Sequence, residues 1–486
     1  MADSSPTMAR SPLAPPSRLE PDAIGVAQDT VIGMASSAPA ASVGLTLALI
    51  AAAAAYGSGP IIIVTAIPML IIANAYRRLN LWNANCGASF EWVGRAINPY
   101  LGFLTGWLMI AAYIIATVSG VEVLGPSVVA VFTNSAGTKW QNIAIATAVG
   151  VVMLVIAIVG IKITARTQVG MAVVEYGILI AFAAWGLIAV LNHHSGTYPV
   201  TRGWFSLTGI HGQGSLVYGF LASVFMFTGW DGTIYVNEEV RHRRANPGRA
   251  ALIAVALLAI IYTFSVVGLQ GVVSPGKLQA NSGTALVYVA HALGGSGWAK
   301  VMAFALALSV IATTGTGIVL TARLVYGMAS YRVLPEFLSN VSRRYSTPVA
   351  ASILVGFLIV ALTWVYLLTQ SLQNAFGYVV DVSGLLFAVF YVLTALATMA
   401  YFRSRIFSSF RDALTLGILP VAAAAFLVWM VFESLKTAGS AFRPEIWSLV
   451  GILGLGLVLM LAARFIMRAT FFQIPREKDE GQTARA

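Results

Sequence analysis

FMFTGWDGTIYVNEEV, residues 225–240, is an apolar run with an aspartate near its centre. Asp231 follows Trp230 and lies between Gly229 and Gly232. An ionised carboxylate at the middle of a membrane helix costs about 2.5–3.5 kcal/mol on insertion scales. Flanking glycines permit a backbone that leaves the helix. In hydrocarbon such a backbone survives only where protein or a watered cavity satisfies its polar groups. The stretch therefore predicts a membrane helix broken at a polar site.

The rest of the chain agrees with a membrane setting. Of 486 residues, 58% are hydrophobic and only 10% charged, with mean hydropathy +0.83. Soluble domains carry about 25% charged residues. The deficit runs almost the whole length, which predicts an all-α polytopic membrane protein with the lipid bilayer as its solvent. The apolar runs are continuous over roughly 20 residues, which argues against a barrel of alternating strands. The net charge of +11 is read as orientation signals at the membrane boundary, not as a nucleic-acid surface. The single cysteine, Cys86, excludes an internal disulfide and a multi-cysteine metal site. Residues 1–30, rich in Pro, Ser and Ala, read as a disordered tail and not as a signal peptide. Residues 469–486 read as a second, mobile polar tail. No cofactor is expected.

The apolar segments predict about 12 helices, at roughly 31–57, 60–80, 98–126, 140–162, 168–191, 213–239, 249–273, 297–330, 347–370, 375–403, 411–434 and 444–468. Sixteen Arg and Lys residues fall at one set of alternate links, among them Arg77, Arg78, Arg95, Arg241, Arg323 and Arg405; six fall at the other. The bias puts the first set and both termini on the cytoplasmic side of the cell membrane. Three long links, 127–139, 192–212 and 274–296, then lie outside, as caps or simple loops. His193, His194 and His211 occupy one of them, but their spacing does not define a metal site.

A second segment is also interrupted. GMASSAPAASVG, residues 33–44, places Pro39 inside the first helix, beside Ser36, Ser37 and Ser42. Proline removes a backbone donor and clashes with the previous turn. Two broken helices five apart are the sequence pointer to an inverted-repeat transporter. Residues 31–191 would form one repeat, 213–403 the other, together a core over 31–403, and 411–468 two accessory helices.

FTGWDGTIYVNEEVRHRRANPGRAAL (227–252) and LTARLVYGMASYRVLPEFLSNVSRRYSTPVAAS (320–352) resemble the amino acid–polyamine–organocation permeases, of the amino acid permease type. Shared features are the small and aromatic residues around the break, the Glu238–Glu239 pair with basic residues and a proline after it, and the LP and TP elements. The resemblance implies the five-plus-five inverted-repeat fold with helices 1 and 6 broken, alternating access, and transport of amino acids or amines. This chain departs from the family at two positions. SSAPAASVG stands where many members have a Gly-x-Gly motif that holds the substrate carboxylate. Glu175 stands near a position where many proton-coupled members carry lysine.

A half-helix that starts at a break exposes amides to anions, and one that ends there exposes carbonyls to cations. A zwitterion fits both. The substrate-binding candidates are Ser36, Ser37, Ala38, Ala40 and Ala41 in the first break, and Phe227, Thr228, Gly229, Trp230 and Asp231 in the second. Phe227 and Trp230 offer aromatic surface to an ammonium group or a thin gate over the site; packing is the other reading. Tyr113 is a candidate occluding aromatic.

Four acids lie in apolar segments: Glu122, Glu175, Asp231 and Asp381. Such acids usually face the bundle interior and can carry protons. Glu175 and Asp381 are the candidates for proton coupling, and Glu122 has a structural or a functional role. Thr313 and Thr316, with Thr314, permit a sodium site, although membrane threonines commonly bond to their own helix. Glu238 and Glu239 are candidate cytoplasmic gate residues, paired with Arg77, Arg78 or another inner arginine, or are simply solvated charge.

The expected function is secondary active transport of amino acids or related amines, with proton symport preferred to sodium. A polyamine or organic-cation transporter, or an exchanger, is the alternative. No enzyme motif and no Walker-type phosphate loop is found, so catalysis and ATP-driven pumping are not expected.

Overall fold

In the computed structural model, residues 18–133, 135–207, 213–369, 372–437 and 444–479 are described. His211 lies outside them, as does the side chain of Asp381. The helices are α1 Val26–Ser36, α2 Pro39–Ala54, α3 Ser58–Trp82, α4 Ser89–Ala96, α5 Pro99–Phe132, α6 Lys139–Val159 and α7 Ile161–Leu191. There follow α8 Gln213–Phe227, α9 Gly232–Tyr235, α10 Asn246–Gln270, α11 Pro275–Ala280, α12 Ala285–Gly294 and α13 Ser296–Ser330. The last are α14 Val349–Thr369, α15 Leu372–Tyr401, α16 Phe410–Asp412, α17 Leu419–Thr437 and α18 Pro444–Leu461. Among the described residues the only β pairing is one isolated bridge, Ile24 to Val240. Eleven helical spans are long and apolar enough to cross a membrane. The interrupted segment of α8 and α9 is not among them, because α8 has 15 residues and α9 only 4.

Burial sorts these helices into centre and rim. Of the most apolar window in α1–α2 and in α13, 78% is buried, against 33% in α6 and 17% in α18. Large side chains such as Val155 on α6, Val173 on α7, Phe357 on α14 and Val458 on α18 point outward. Such surface suits a lipid solvent. The central pairings follow a rule: α2 packs on α8, α3 on α10, α5 on α13 and α6 on α14. Each of the first four spans thus meets the segment five further along the chain.

Several boundaries differ from the sequence reading. The first helix begins at Val26, not 31, because the polar residues Gln28 and Asp29 are helical; Asp29 is fully buried. Residues 18–30 are therefore not a disordered tail. The third span runs through Pro126 to Phe132. The C-terminal tail is docked as far as Asp479, where mobility was expected. Phe471 stacks on Phe90 with ring centroids 4.1 Å apart, Glu477 pairs with Arg95, and Arg405 meets Asp479 at 3.2 Å. Two aromatic residues in an otherwise polar tail supply its apolar anchor. Arg95 also holds Glu91 at 3.1 Å; burial raises the Glu91 carboxyl above its ordinary range, against the pull of Arg95.

Candidate functional site

The first break follows from three residues. The amides of Ser37 and Ala38 turn back onto Met34 and Ala35, at 3.0 and 3.2 Å. Pro39 disfavours helical backbone at the residue before it, and Ala38 takes the left-handed conformation, φ 47° and ψ 64°. Alanine there costs about 1–2 kcal/mol. Pro39 then opens α2 as its first residue, where a missing N–H does least harm.

In the second break, Thr228 N–H donates to Phe225 at 3.0 Å, and Gly229 has φ +103°. Gly232 N–H donates to the Gly229 carbonyl at 2.9 Å and starts α9. The helix expected to reach 239 ends at Tyr235, and a tighter turn covers Asn237–Glu239. The two breaks lie directly against each other. A Cβ on Gly229 would stand 2.5 Å from the Ser36 carbonyl oxygen, and one on Gly33 would stand 2.8 Å from that of Trp230. Gly229→Ala meets both a clash with backbone and a forbidden φ. It is expected to lower the thermal unfolding temperature and abolish ligand-induced stabilisation, while Gly384→Ala, whose nearest neighbour would be a Leu221 methyl at 3.4 Å, leaves both near wild type.

Asp231 is fully buried beside the breaks. Tyr391 on α15 donates to its Oδ1 at 2.9 Å, and Tyr235 on α9 to its Oδ2 at 3.2 Å. Trp230 stacks on Tyr391, centroids 5.5 Å apart and planes 19° apart, and meets Tyr76 of α3 edge-on at 5.1 Å. Ser89 donates to the Tyr76 hydroxyl at 3.0 Å. Tyr113 packs edge-on against Tyr235 and Phe387. Phe227 instead packs edge-on against Tyr262, whose hydroxyl donates to the Ser37 carbonyl at 3.2 Å. The carboxylate is thus enclosed by aromatic side chains, all of them buried.

Glu175 of α7 reaches the first break. Its Oε1 accepts from the Ala40 N–H at 2.8 Å, while its Oε2 has no partner among the described residues. Ser309 of α13 accepts from the Ala41 N–H at 3.2 Å. The Thr313 hydroxyl lies 2.8 Å from the Ala35 carbonyl and 2.9 Å from the Ser309 backbone carbonyl, which share its one proton. Thr316 and Thr314 bond only to carbonyls of their own helix. Tyr366 donates to Glu122 at 2.8 Å, joining α14 to α5.

The arginine-rich end is closed by a layer of pairings. Arg323 of α13 grips Glu239 with two bonds, 3.0 and 3.2 Å, both side chains fully buried. Glu239 does not pair with Arg77 or Arg78: Arg77 donates to Asn74 at 3.3 Å, and Gly248 of α10 sits against the Arg77 stem. Glu238 accepts from the Cys86 N–H at 3.1 Å. Asn237 donates to Asn80 and to the Asn85 carbonyl, each at 2.9 Å. Ala23 and Arg241 complete the bridge between the start of the chain and the end of the broken segment. At the opposite end Trp204, fully buried, stacks on Tyr56 at 5.7 Å and lies over Gly271; it anchors a 192–212 link whose other described residues are mostly exposed.

Tyr76, Tyr235, Tyr391, Ser309 and Asp29 were not singled out in the sequence. Tyrosines in apolar segments give no signal of their own. Asp29, with neither oxygen partnered among the described residues, precedes the apolar run that defined the first helix.

Fold and site define a polytopic helical membrane protein whose central helices break around a buried acid. A family model described as amino acid permease matches residues 28–466, and the chain belongs to that family. It is 30% identical over 178 residues to Asc-type amino acid transporter 1 of Mus musculus, covering 36% of this chain and 33% of that protein. It is 24% identical over 248 residues to large neutral amino acids transporter small subunit 2 of Mus musculus, covering 51% of this chain and 43% of that protein. The human form of the latter is 27% identical over 176 residues, 36% of this chain and 32% of that protein. The chain thus matches less than half the length of these curated relatives.

Proposed function

We propose that the protein is a secondary active transporter that moves amino acids or related amines across the cell membrane by alternating access, with a proton as coupling ion. The observation that carries this reading is the meeting of two helix breaks beside Asp231, a buried acid enclosed by aromatic side chains. A site reached from alternate sides needs one layer that can open at each end. The Glu239–Arg323 layer and the Trp204–Tyr56 layer are suited to those roles, with the arginine-rich end and both termini cytoplasmic. The packing of spans five apart supports two repeats, 31–191 and 213–403, rocking against each other, with 411–468 accessory. In this reading Asp231 receives the substrate's amino group, Trp230, Tyr76 and Tyr391 line it, and Tyr113 occludes it.

Proton coupling is assigned to Glu175. Its carboxylate ties α7 to the first turn of α2, and a proton on it weakens that charge-assisted bond, freeing the break to move. Sodium is the competing ion: the Thr313 hydroxyl stands 2.8 Å from the Ala35 carbonyl of the first break, while Thr316 bonds within its own helix. In proteoliposomes, an inward pH gradient without sodium is expected to drive substrate accumulation, and Glu175→Gln to abolish accumulation while retaining exchange. Uptake that requires sodium and ignores the pH gradient refutes this assignment.

A further inference from the structure

We infer that the substrate is a cationic amine without a carboxylate group, an inference that rests on the transport reading above. The first turn of α2 is where a half-helix would offer free amides to an anion. Here none is free. Pro39 has no N–H. The Ala40 N–H is held by Glu175 at 2.8 Å and the Ala41 N–H by Ser309 at 3.2 Å. Ser42 N–H already makes its helical bond to Ala38, at 2.7 Å. On the other side of the break, Ser37 and Ala38 N–H groups turn inward onto α1. The chain's own carboxylate occupies the place that a substrate carboxylate would need.

The second break gives no replacement. Its α9 is a single turn, and the Asp231 carboxylate stands at its start. A ligand carboxylate there would meet a like charge in a buried setting, which is strongly unfavourable.

The same groups favour a cation. Tyr391 and Tyr235 each donate to one Asp231 oxygen, the Tyr113 hydroxyl also stands beside the carboxylate, and the two oxygens together have about four acceptor sites. Glu175 Oε2 is buried and unpartnered among the described residues, with the Ser309 hydroxyl beside the same carboxyl. Trp230, Tyr76 and Tyr391 surround the acid, and the face of an aromatic ring attracts ammonium groups. No lysine or arginine occurs in α1, α2, α5, α8, α9 or α15; those of α3, α7 and α13 lie towards the helix ends, and Arg323 is taken by Glu239.

The test compares amino acids with the amines of the same side chain: arginine with agmatine, ornithine with putrescine, phenylalanine with phenethylamine. Full-length protein is assayed by thermal stabilisation and by proteoliposome uptake. At least one amine is expected to bind about tenfold or more tightly than its amino acid, a gap of about 1.4 kcal/mol. Amino acids that bind as well as or better than their amines in every pair that binds overturn the inference and leave transport standing. Failure of every amine and every amino acid to move overturns the transport reading and the inference with it. Two variants isolate the cause. Glu175→Gln keeps an oxygen on the Ala40 N–H and should keep the discrimination against carboxylates. Glu175→Ala frees that N–H and should shrink the gap. Should Glu175→Ala not fold, Ser309→Ala frees the Ala41 N–H and is read the same way. An unchanged gap in the uncapped variant overturns the capping argument.

Discussion

Asp231→Asn is expected to weaken substrate binding by about ten- to a hundredfold and to abolish uptake at micromolar substrate. Asparagine preserves the size of the side chain and one acceptor oxygen for Tyr391 or Tyr235. It removes the charge. A hydrogen bond to a charged group is worth about 1.5–3 kcal/mol, and each 1.4 kcal/mol is a factor of ten in affinity. The carboxylate is fully buried, is positioned by two tyrosines from different helices, and has Trp230 stacked on one of them. It cannot swing away, so its charge faces whatever enters the chamber. Tyr391→Phe provides the matched control. It removes one donor to Asp231 but leaves the charge, so a smaller loss is expected, and Tyr235 still holds the other oxygen. Titration calorimetry on purified protein reads both variants. Binding and uptake that are unchanged in Asp231→Asn across the pH range would remove Asp231 from the site.

Much of this chamber was legible in the sequence, and the reason is physical. Glycine and proline act locally, so Gly229 and Pro39 marked both breaks without any knowledge of packing. Asp231 was conspicuous because carboxylates are rare in apolar runs. Glu175 was conspicuous for the same reason, but its partner was not: nothing in 161–191 says that its oxygen will reach the Ala40 amide 135 positions away. Partners across the bundle are set by how helices pack, and packing is invisible in one chain read alone. That is why Tyr391 and Tyr235 were passed over, and why Arg323 was counted for orientation but not placed against Glu239. The docked tail was misread for a related reason. Two phenylalanines in a polar segment carry little weight in composition, yet Phe471 finds a stacking partner in Phe90.

Arg323→Met is expected to open the arginine-rich end and to lower stability by about 3–5 kcal/mol, the cost of leaving a buried charge without its partner. Glu239 would remain in a place where both side chains are now fully buried, with no second cation bonded to it among the described residues. The chain carries its own reporter of that opening. Cys86, its one cysteine, is buried beside the pair, with its N–H on Glu238 and its sulfur 4.0 Å from Asn237 Oδ1. Burial pushes its thiol well above the ordinary range, and only the thiolate attacks an alkylating reagent. The closed wild-type protein should therefore label slowly with a membrane-impermeant maleimide. Arg323→Met should label faster by the factor that the opening equilibrium shifts, and only from the arginine-rich side. Replacing both partners, Arg323→Met with Glu239→Gln, leaves no orphaned charge, so it should recover much of the stability. Its labelling should stay fast if the ion pair is the lock, because the lock is absent even though the charge is no longer stranded. Slow labelling in both variants assigns closure to the Asn80, Asn85 and Asn237 bonds and the Ile24–Val240 bridge instead, and makes the ion pair a structural element of α13.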